Sequence, residues 1–444
     1  MAHYHSRSQA NEPFSSASSA LFTCQAGHAC HGASGKRRQW GNRCSFTGLF
    51  FLLFLLLGAC RSDESAKAPD RRENASKCVR KPWSSFVVGA NVIDLPDHLD
   101  EDKNNDGLRG YGSDAARRTL RYLRDLGLDG VALPFPIYAS HGTATEVRAG
   151  HLSGQPGLQR LIRMVEDAHG MGFGVMWVPH LALDDGSWRG DLFPQEPGLS
   201  ETEAVRRFWT HYRHVILPMA EYAEALCVEA FSIGVELKSL TRSPSSDAPL
   251  DALVAELRSV FSGELLYNAN WDEVEQVRGW QRFDRIGVQA FAPLADADFA
   301  EDDTLRAGAL RFQRTLGELK TRVQRPLWFT ESGFKAIAHS YVEPWKWPTE
   351  VRAAALPVDE KEQKRAYAAL SDAFRRSPTT DGVFFWAVPS DLADAEHPWA
   401  FEPKQGFSFV GKEAQSIVQQ LAHDRPVRGQ VVPEGSAQPA SATE

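Results

Sequence analysis

The sequence predicts an α/β fold, and within that class a (β/α)8 barrel, or TIM barrel. Eight short runs rich in apolar and β-branched residues recur between residues 86 and 388. The runs are apolar throughout rather than alternating, which is typical of parallel strands buried on both faces of a sheet. Stretches with helical periodicity lie between several of the runs, as the crossovers between parallel strands require.

The eight predicted strands are, in order, FVVGAN (86–91), GVALPF (130–135), GVMWVPH (174–180), AFSIGVE (230–236), ELLYNAN (264–270), RIGVQAF (285–291), PLWFTE (326–331) and GVFFWAV (382–388). Amphipathic stretches at 114–127, 158–172 and 360–376 predict helices between them. A doubly wound open sheet is the structural alternative. The barrel is favoured because no glycine-rich phosphate loop follows the first strand.

Residues 1–59 predict a lipoprotein-type signal peptide. A basic cluster at 36–43 precedes an apolar run, Leu49 to Leu57, which is shorter than the roughly 20 residues of a membrane span. The small residues before Cys60 resemble a bacterial lipobox, which implies cleavage there and lipidation of the Cys60 thiol. Arg61, not being aspartate, implies release from an inner membrane. We therefore expect an exported lipoprotein of the cell envelope, anchored to the outer membrane or cell surface.

The leader is unusually long before its basic cluster, so either the true start codon lies further in or the leader is atypical. Residues 60–82 are polar and predict a flexible tether, residues 83–424 form the barrel domain, and residues 425–444 predict a disordered tail. Cys60, Cys78 and Cys227 remain after cleavage. A disulfide between Cys78 and Cys227 is possible, and their spacing does not decide it.

The charge of the chain argues against nucleic acid as a partner. The full sequence has a net charge of −8, and loss of residues 1–59 removes five basic residues and one acidic residue, which leaves −12. A strongly acidic surface repels a phosphate backbone. We expect a monomer that reaches the membrane only through its lipid anchor.

Two glutamates end strands whose carboxyl ends lie across the barrel mouth from each other. Glu236 ends the fourth predicted strand, and Glu331 ends the seventh. Burying an unpartnered carboxylate is costly, so its presence at a strand end points to function. Two carboxyl groups about 5 Å apart perform retaining glycoside hydrolysis, and a wider gap leads to inversion. The alternative is that either glutamate forms an ion pair with Lys238 or Arg242.

The strand-end motifs resemble glycoside hydrolase family 113. They are GVMWVPHLALDDGSWRGDL (174–192), FSIGVEL (231–237), YNANWDE (267–273), DRIGVQAFAPL (284–294), WFTESGF (328–334) and a closing GFSFVGKEA (406–414). This family comprises β-mannanase-like (β/α)8 enzymes of clan A with catalytic glutamates on strands four and seven. The resemblance spans roughly residues 86–420. It implies that Glu236 is the acid/base and Glu331 the nucleophile.

Seven neighbouring residues are candidates for binding a sugar. The C–H face of a pyranose packs on an indole, while its hydroxyls need amide and carboxylate partners. The candidates are Asn91, His180, Trp188, Asp191, Asn270, Trp271 and Trp386. Trp386 ends the eighth strand, where the resemblance implies the floor of a sugar subsite. For each candidate, loop packing or helix capping is the alternative.

Two positions depart from the family pattern. Phe291 stands where the family typically carries a tyrosine whose hydroxyl would orient the nucleophile. Val235 stands before the acid/base, where many clan relatives use an asparagine that holds the sugar 2-hydroxyl. The first departure favours an alternative function, that of a surface glycan-binding lipoprotein with weak or no turnover.

The favoured expectation is a retaining glycoside hydrolase that acts by double displacement on a β-linked polysaccharide or oligosaccharide, with β-1,4-mannan preferred. We expect no metal or organic cofactor. The segment DKNNDG (102–107) begins like a calcium loop, but Ser113 stands where the bidentate glutamate belongs. A solvated turn is favoured, and an isolated Ca²⁺ site at Asp102, Asn104 and Asp106 stays open.

Overall fold

The computed structural model describes residues 78–94, 110–154, 156–346, 356–391 and 404–427. The predictions for the signal peptide, for Cys60, for the Asp102, Asn104 and Asp106 segment and for most of the C-terminal tail lie outside these residues. Within the described ranges, no helix combines the length and the apolar character needed to cross a bilayer.

Eight parallel strands close into a barrel, and this confirms the predicted fold. Closure comes from β1, which pairs with both β2 and β9. A two-residue strand, β3, pairs antiparallel with the end of β2 and lies outside the ring. The strands are β1 (Val87–Ile93), β2 (Gly130–Ala139), β3 (Arg148–Ala149), β4 (Gly174–Leu183), β5 (Ala230–Val235), β6 (Glu264–Asn270), β7 (Arg285–Gln289), β8 (Leu327–Ser332) and β9 (Gly382–Pro389). Thus β5 is the fourth barrel strand and β8 the seventh.

Helices surround the barrel in the order that the alternating pattern predicts. They are α1 (Asp114–Asp125), α2 (Gly157–Gly170), α3 (Glu201–Ala225), α4 (Lys238–Arg242), α5 (Asp247–Val260), α6 (Asp302–Val323), α7 (Glu360–Arg376) and α8 (Gln415–His423). Side-chain caps fix several N-termini: Ser200 forms a capping box with Glu203 on α3, and Asp359 accepts from the Glu362 N–H on α7. Ser113, which breaks the calcium-loop pattern, caps α1 by accepting from the Ala116 N–H.

Strands β2 and β4 run further than the sequence predicts. They pair without interruption from Gly130 opposite Gly174 to Ala139 opposite Leu183. Pro136 argues against a strand in this part of the sequence because proline has no N–H to donate to a neighbouring strand. The paired residues of β1 and β2 are confined to residues 89–91 and 130–132, so the far half of β2 needs no donors on that side. The carboxyl ends of β2 and β4 therefore extend beyond the rim of the barrel.

Two layers of apolar side chains hold the fold together. The larger layer lies between the strands and the helices. The smaller fills the barrel and consists of Val87, Ala132, Met176, Val178, Ala230, Val235, Leu266, Trp328 and Phe384. At the amino ends of the strands Trp83 packs on this cluster, with ring centroids 4.9 Å from Trp328, and a Cβ on Gly174 would lie 2.4 Å from the Trp83 ring. Burial of these large rings closes that end of the barrel.

The segment before β1 is fastened to the same end of the barrel. Cys78 forms a disulfide with Cys227, which lies just before β5. Arg80 donates to the Val228 carbonyl at 2.7 Å and forms an ion pair with Glu224. Residues 78–82, the last part of the predicted tether, therefore lie against the barrel.

Candidate active site

Glu236 directly follows β5 and points its carboxylate into the barrel mouth. Its backbone is in the left-handed region, with φ of 52°, and its N–H donates to the Asn268 carbonyl at 2.8 Å. A non-glycine residue in this region marks a constrained turn. Two donors reach Oε2: Trp188 Nε1 at 3.3 Å and Arg189 Nη1 at 3.1 Å. The side chain is 14% exposed, so substrate can still reach it.

Glu331 lies near the end of β8 and is 6% exposed. The Gln289 side-chain amide donates to its Oε1 at 2.8 Å. Strands β7 and β8 pair with an irregularity between Val288 and Gln289, and this shift sets Gln289 opposite Glu331. His180 Nε2 lies 3.2 Å from the same oxygen, in a direction that does not make a hydrogen bond.

Burial raises the pKa of both carboxyl groups. The pKa of Glu331 rises to about 8, because desolvation outweighs the Arg189 charge and the Gln289 hydrogen bond, which act in the opposite direction. The pKa of Glu236 is also raised by desolvation, against the Arg189 charge, and the nearby Glu331 raises it further. Two such groups that influence each other titrate as a pair. With the pKa of Glu331 raised to about 8, the pair shares a proton at neutral pH.

Arg189 is a site residue that the sequence analysis did not single out. It opens a short 3-10 helix, Arg189–Asp191, after β4, and its Nε donates to the Leu181 carbonyl at 2.9 Å. That bond fixes the guanidinium so that Nη1 reaches Glu236. The signal was present in the quoted motif SWRGDL, where the arginine stands beside Trp188. Glu236 thus does have an ion-pair partner, but it is Arg189, whereas Lys238 pairs with Asp272 at 2.5 Å.

His180 and Trp386 meet across the mouth. Their rings are stacked with centroids 5.6 Å apart and an interplanar angle of 5°. Burial, together with the positive charge of Arg189, lowers the pKa of His180 to about 3, so the imidazole is neutral at physiological pH. A neutral imidazole and an indole beside Glu331 offer a flat apolar surface with one polar edge.

A buried network supports the turn that carries Glu236. The Leu237 N–H donates to the Tyr267 hydroxyl at 2.6 Å, and that hydroxyl donates to Glu273 Oε1 at 2.6 Å. Glu273 also accepts from the Asn270 N–H at 2.9 Å and from the Thr241 hydroxyl. Burial raises the pKa of Glu273 to about 7. The network ties the residue after Glu236 to β6.

The remaining candidates occupy different places. Asn91 is buried, and its amide donates to the Thr330 carbonyl at 2.9 Å, so it braces β8 from inside the barrel. Asn270 is buried and accepts from the Trp271 N–H at 2.9 Å. The Asp191 side chain is exposed. Trp188 is 37% exposed beside Glu236, and Trp271 packs on Trp345 with centroids 5.2 Å apart.

Phe291 follows β7 and packs edge-on against Phe407, with centroids 5.7 Å apart. Its ring carries no hydroxyl, but Gln289, two residues earlier, already donates to Glu331. The nucleophile candidate therefore has a hydrogen-bond donor from the same segment. Among the described residues, no three His, Cys, Asp or Glu side chains converge on a point that could hold a metal ion.

Comparisons with known proteins identify a family and a fold. The model of Glycoside Hydrolase Family 113 matches residues 105–412. A structure described as a complex of a GH113 β-1,4-mannanase is 19% identical, with a TM-score of 0.63 over 77% of this chain and 100% of that chain. The GH113 β-mannanase AaManA from Alicyclobacillus acidocaldarius, in complex with ManMIm, is 24% identical, with a TM-score of 0.62 over 77% and 98%. These likenesses show a shared fold. No curated protein sequence matches the chain.

The family match covers more than half of the 444 residues and includes both glutamates. It also includes seven of the eight barrel strands in full, all except β1, and both donors to Glu236. From the closed barrel, the two buried carboxyl groups and this match we conclude that the chain is a glycoside hydrolase and belongs to glycoside hydrolase family 113.

Proposed function

We propose that the protein is a retaining β-glycosidase that cleaves β-1,4-mannan or a closely related β-linked glycan. The observation that carries the proposal is the pair of buried carboxyl groups, Glu236 and Glu331, at the carboxyl ends of the fourth and seventh barrel strands. Each carboxyl has hydrogen-bond donors that hold its orientation. Two oriented carboxyls on opposite sides of a sugar are the machinery of glycoside hydrolysis.

In the first step Glu331 attacks the anomeric carbon. An ester bond forms between Glu331 and that carbon, the glycosidic C–O bond breaks, and the leaving oxygen takes a proton from Glu236. In the second step Glu236, now ionised, accepts a proton from water. The water oxygen bonds to the anomeric carbon, the ester bond breaks, and both carboxyls return to their starting states.

This cycle needs the shared proton on Glu236 and the negative charge on Glu331. Burial raises the pKa of Glu331 to about 8, which favours a proton on the nucleophile, whereas the cycle needs that proton on Glu236. The Gln289 hydrogen bond and the Arg189 charge oppose that effect. Positive charge that develops at the anomeric carbon next to Glu331 favours its ionised form further, since opposite charges attract strongly in a buried site.

The substrate class rests on the sugar-facing surface and on the family. The stacked His180 and Trp386 rings lie beside Glu331 and fit the C–H face of a pyranose. Both structural neighbours named above are described as β-mannanases. Val235 removes the asparagine contact to the 2-hydroxyl, which is compatible with the axial 2-hydroxyl of mannose.

Release of reducing sugar from β-mannan, glucomannan, xylan and cellulose by the purified protein tests the proposal. We expect release from β-mannan and none from the Glu331→Ala variant. Proton NMR of the first product should show the β-anomer, and an α-anomer would rule out retention. A folded wild-type protein that binds one of these polymers without cleaving it would instead support the glycan-binding alternative.

We also propose that the protein is exported and anchored by a lipid on Cys60. The disulfide between Cys78 and Cys227 supports export, because structural disulfides persist in oxidising compartments. Membrane fractionation with a Cys60→Ser variant tests the anchor, and we expect the variant in the soluble fraction. An unchanged membrane fraction would contradict it. The expectation of a monomer stays a prediction.

A further inference from the structure

We propose that Phe299 and His339, together with the groove beside them, form a second binding site, outside the barrel mouth, for a neutral polysaccharide. Phe299 lies in the loop between β7 and α6, and His339 lies in the segment between β8 and α7. The site is called the outer platform below. It is separate from the catalytic centre, and only the identity of the polysaccharide rests on the proposed function.

The two residues of the outer platform share an unusual backbone conformation. Among the described residues, five other than glycine have a positive φ, namely Cys227, Glu236, Phe299, Gln324 and His339. Three of these have an evident reason: Glu236 presents a carboxyl of the pair, Cys227 forms the disulfide, and Gln324 ends α6. The other two, with φ of 57° and 56°, come from different loops and contact each other. A left-handed backbone is costly for a bulky residue, so this contact points to a function.

Phe299 presents an aromatic ring that the fold does not bury. The residue is 82% exposed. Its ring meets the His339 ring edge to face, with centroids 4.4 Å apart and an angle of 70° between the planes. Leaving so much apolar surface in water contributes nothing to the core, and a ligand that packs on the ring would remove that surface from water.

Hydrogen bonds hold the outer platform in place without a ligand. The Phe299 N–H donates to His339 Nδ1 at 3.3 Å. The buried Tyr341 hydroxyl accepts from the Ala300 N–H at 2.9 Å, and the Tyr341 carbonyl accepts from the Leu294 N–H at 2.9 Å. Both ends of the 294–300 segment are thereby fixed to the segment that carries His339. A site that is already ordered loses little conformational freedom on binding.

A groove of about 370 Å³ lies against the aromatic pair and supplies polar groups. Its lining includes Glu301, Asp302 and Arg365. Arg365 donates to Asp302 Oδ1 at 2.6 Å and forms an ion pair with Glu362, and these contacts fix its guanidinium. Because His339 Nδ1 accepts a hydrogen bond, the neutral imidazole carries its proton on Nε2 and can donate from there. The groove thus combines acceptors and donors for hydroxyls with an apolar ring, as a sugar requires.

The charge around the outer platform favours a neutral ligand. Residues 296–303 read DADFAEDD, and all five acidic residues are exposed. Carboxylates accept hydrogen bonds from sugar hydroxyls, but they repel phosphate, sulfate and uronate groups. Nucleic acids, anionic lipid headgroups and acidic polysaccharides are therefore disfavoured. A polymer of uncharged sugars such as β-mannan fits this surface.

The outer platform opens on the same face of the barrel as the two glutamates. Phe299 and His339 lie beyond the carboxyl ends of β7 and β8, and the groove lies between the first turns of α6 and α7. These helices surround the ring of strands, so the groove is outside the mouth that holds the reacting sugar. A polymer bound there stays close to the mouth, which raises the effective concentration of its other segments at the glutamates.

Affinity electrophoresis of a catalytically inactive background, Glu331→Ala, measures binding without cleavage. β-Mannan in the gel should retard this protein. Adding Phe299→Ala should weaken the apparent affinity about three- to tenfold, the usual contribution of an aromatic contact, and adding Phe299→Trp should retain it. Polygalacturonate should retard none of these proteins. Equal affinity with and without the Phe299 ring, no retardation by β-mannan, or a Phe299-dependent retardation by polygalacturonate overturns the outer platform.

Two substrates separate failure of the outer platform from failure of the proposed function. In the active protein, Phe299→Ala should lower kcat/KM for β-mannan about threefold or more. Hydrolysis of β-mannobiosyl fluoride should change less than about 1.5-fold, because this small substrate occupies only the mouth. An unchanged rate on the polymer, or an equal loss on both substrates, overturns the platform. Cleavage of neither substrate, with Phe299-dependent retardation in the gel, overturns the proposed function alone.

Phe299→Gly distinguishes a binding role from a structural role. Glycine adopts a positive φ without steric cost, so this variant should have a Tm equal to or above that of the wild type. It should nevertheless bind β-mannan as weakly as Phe299→Ala does. A lower Tm would assign the ring to the stability of the fold and overturn the platform. Tyr122→Ala on α1 is the matched control, because Tyr122 is an exposed aromatic residue elsewhere on the surface, and its loss should leave the affinity unchanged.

Discussion

Gln289 donates a hydrogen bond from its side-chain amide to Glu331 Oε1 at 2.8 Å. The donor favours the ionised form of a carboxyl that burial otherwise keeps protonated. Gln289→Leu should therefore lower kcat by about 10- to 100-fold, the usual worth of a hydrogen bond to a charged group. It should also move the alkaline limit of activity to higher pH.

Gln313→Leu is the control for this prediction. Gln313 is equally buried, but it bonds to Thr380 between α6 and β9. Its loss should cost stability and leave kcat nearly unchanged. If the two variants lose activity equally, the Gln289 bond has no special relation to Glu331.

The pH dependence of kcat/KM should follow the shared proton of the glutamate pair. Activity needs one proton on the pair, so the rate falls at acid pH when both carboxyls are protonated. It falls again on the alkaline side, near the value of about 8 to which burial raises the pKa of Glu331. Initial rates between pH 4 and 10 test this, with circular dichroism at each pH to show that the protein stays folded. A rate that is still rising at pH 10 would contradict it.

Burial of Glu331 should also appear in the pH dependence of stability. The folded-state pKa is raised from 4.5 to about 8, so the folded protein binds this proton more tightly than the unfolded chain does. The resulting stabilisation is complete below the pKa of Glu331 in the unfolded chain, and it is lost as the pH rises through the pKa of Glu331 in the folded protein. Glu331→Gln keeps a neutral side chain throughout. At pH 8.5 its Tm should be higher than that of the wild type, and its unfolding free energy should be larger by roughly a few kcal/mol. Both differences should be smaller at pH 4.5.

The change of this stability difference with pH tests whether the pKa of Glu331 is raised. A gap between the two proteins that does not change with pH would show that Glu331 titrates normally in the folded state. The same measurement on Glu203→Gln is a useful reference. Glu203 lies in the exposed capping box of α3, and its hydrogen bonds with Ser200 lower its pKa. The stability that Glu203 contributes should therefore be lost as the pH falls, the opposite of the trend for Glu331.

The Tyr267 hydroxyl should matter for catalysis although it does not face the substrate. It accepts from the Leu237 N–H and donates to Glu273, and so fixes the left-handed turn at Glu236. Tyr267→Phe leaves the Leu237 N–H unsatisfied and lets Glu236 move. We expect kcat to fall by about tenfold or more with little change in KM, because misplaced acid catalysis affects mainly the chemical step.

Tyr212→Phe is the matched control for a lost buried hydroxyl. Tyr212 is also fully buried and donates to the Ile233 carbonyl in the middle of β5 at 2.7 Å. Both variants should lose about 1–2 kcal/mol of unfolding free energy. Only Tyr267→Phe should lower kcat. Equal kcat values in the two variants would show that Tyr267 and Glu273 do not hold the acid/base in position.

The disulfide should stabilise the fold without affecting the rate. Cys78 and Cys227 are 149 residues apart in sequence, and closing so long a loop restricts the unfolded chain strongly. Cys227→Ser should lower the unfolding free energy by about 2–5 kcal/mol. The bond lies at the amino ends of the strands, so kcat at 25 °C should stay the same. A lower kcat in the folded variant would contradict this prediction and show that the amino end of the barrel influences the site at the mouth.

The strands and the two glutamates could be predicted because their physics is local. A buried parallel strand is apolar on both faces, so a carboxylate such as Glu331 at the end of PLWFTE stands out at once. The same reasoning found His180 and Trp386, which the structure stacks on each other. Their closeness follows from the closed ring of strands rather than from any sequence spacing.

Other parts of the site depend on relationships that the sequence does not express. Gln289 faces Glu331 only because the pairing of β7 and β8 shifts by a residue at that point. Arg189 reaches Glu236 only because a short 3-10 helix turns the chain after β4. Asn91 has the pattern of a strand-end ligand, yet its side-chain NH2 group donates to the Thr330 carbonyl inside the barrel. In each case a small detail of the backbone decides where a polar side chain points.

The chain enters and leaves the described fold at the same end. Cys78 is held by Cys227 just before β5, and Arg425, after the last helix, donates to the Gly127 carbonyl just before β2 at 2.9 Å and pairs with Asp129. Both positions are at the amino ends of the strands, whereas the glutamates open at the carboxyl ends. A label attached close to Cys78 or Arg425 therefore meets the closed base of the barrel, on the side opposite the two glutamates.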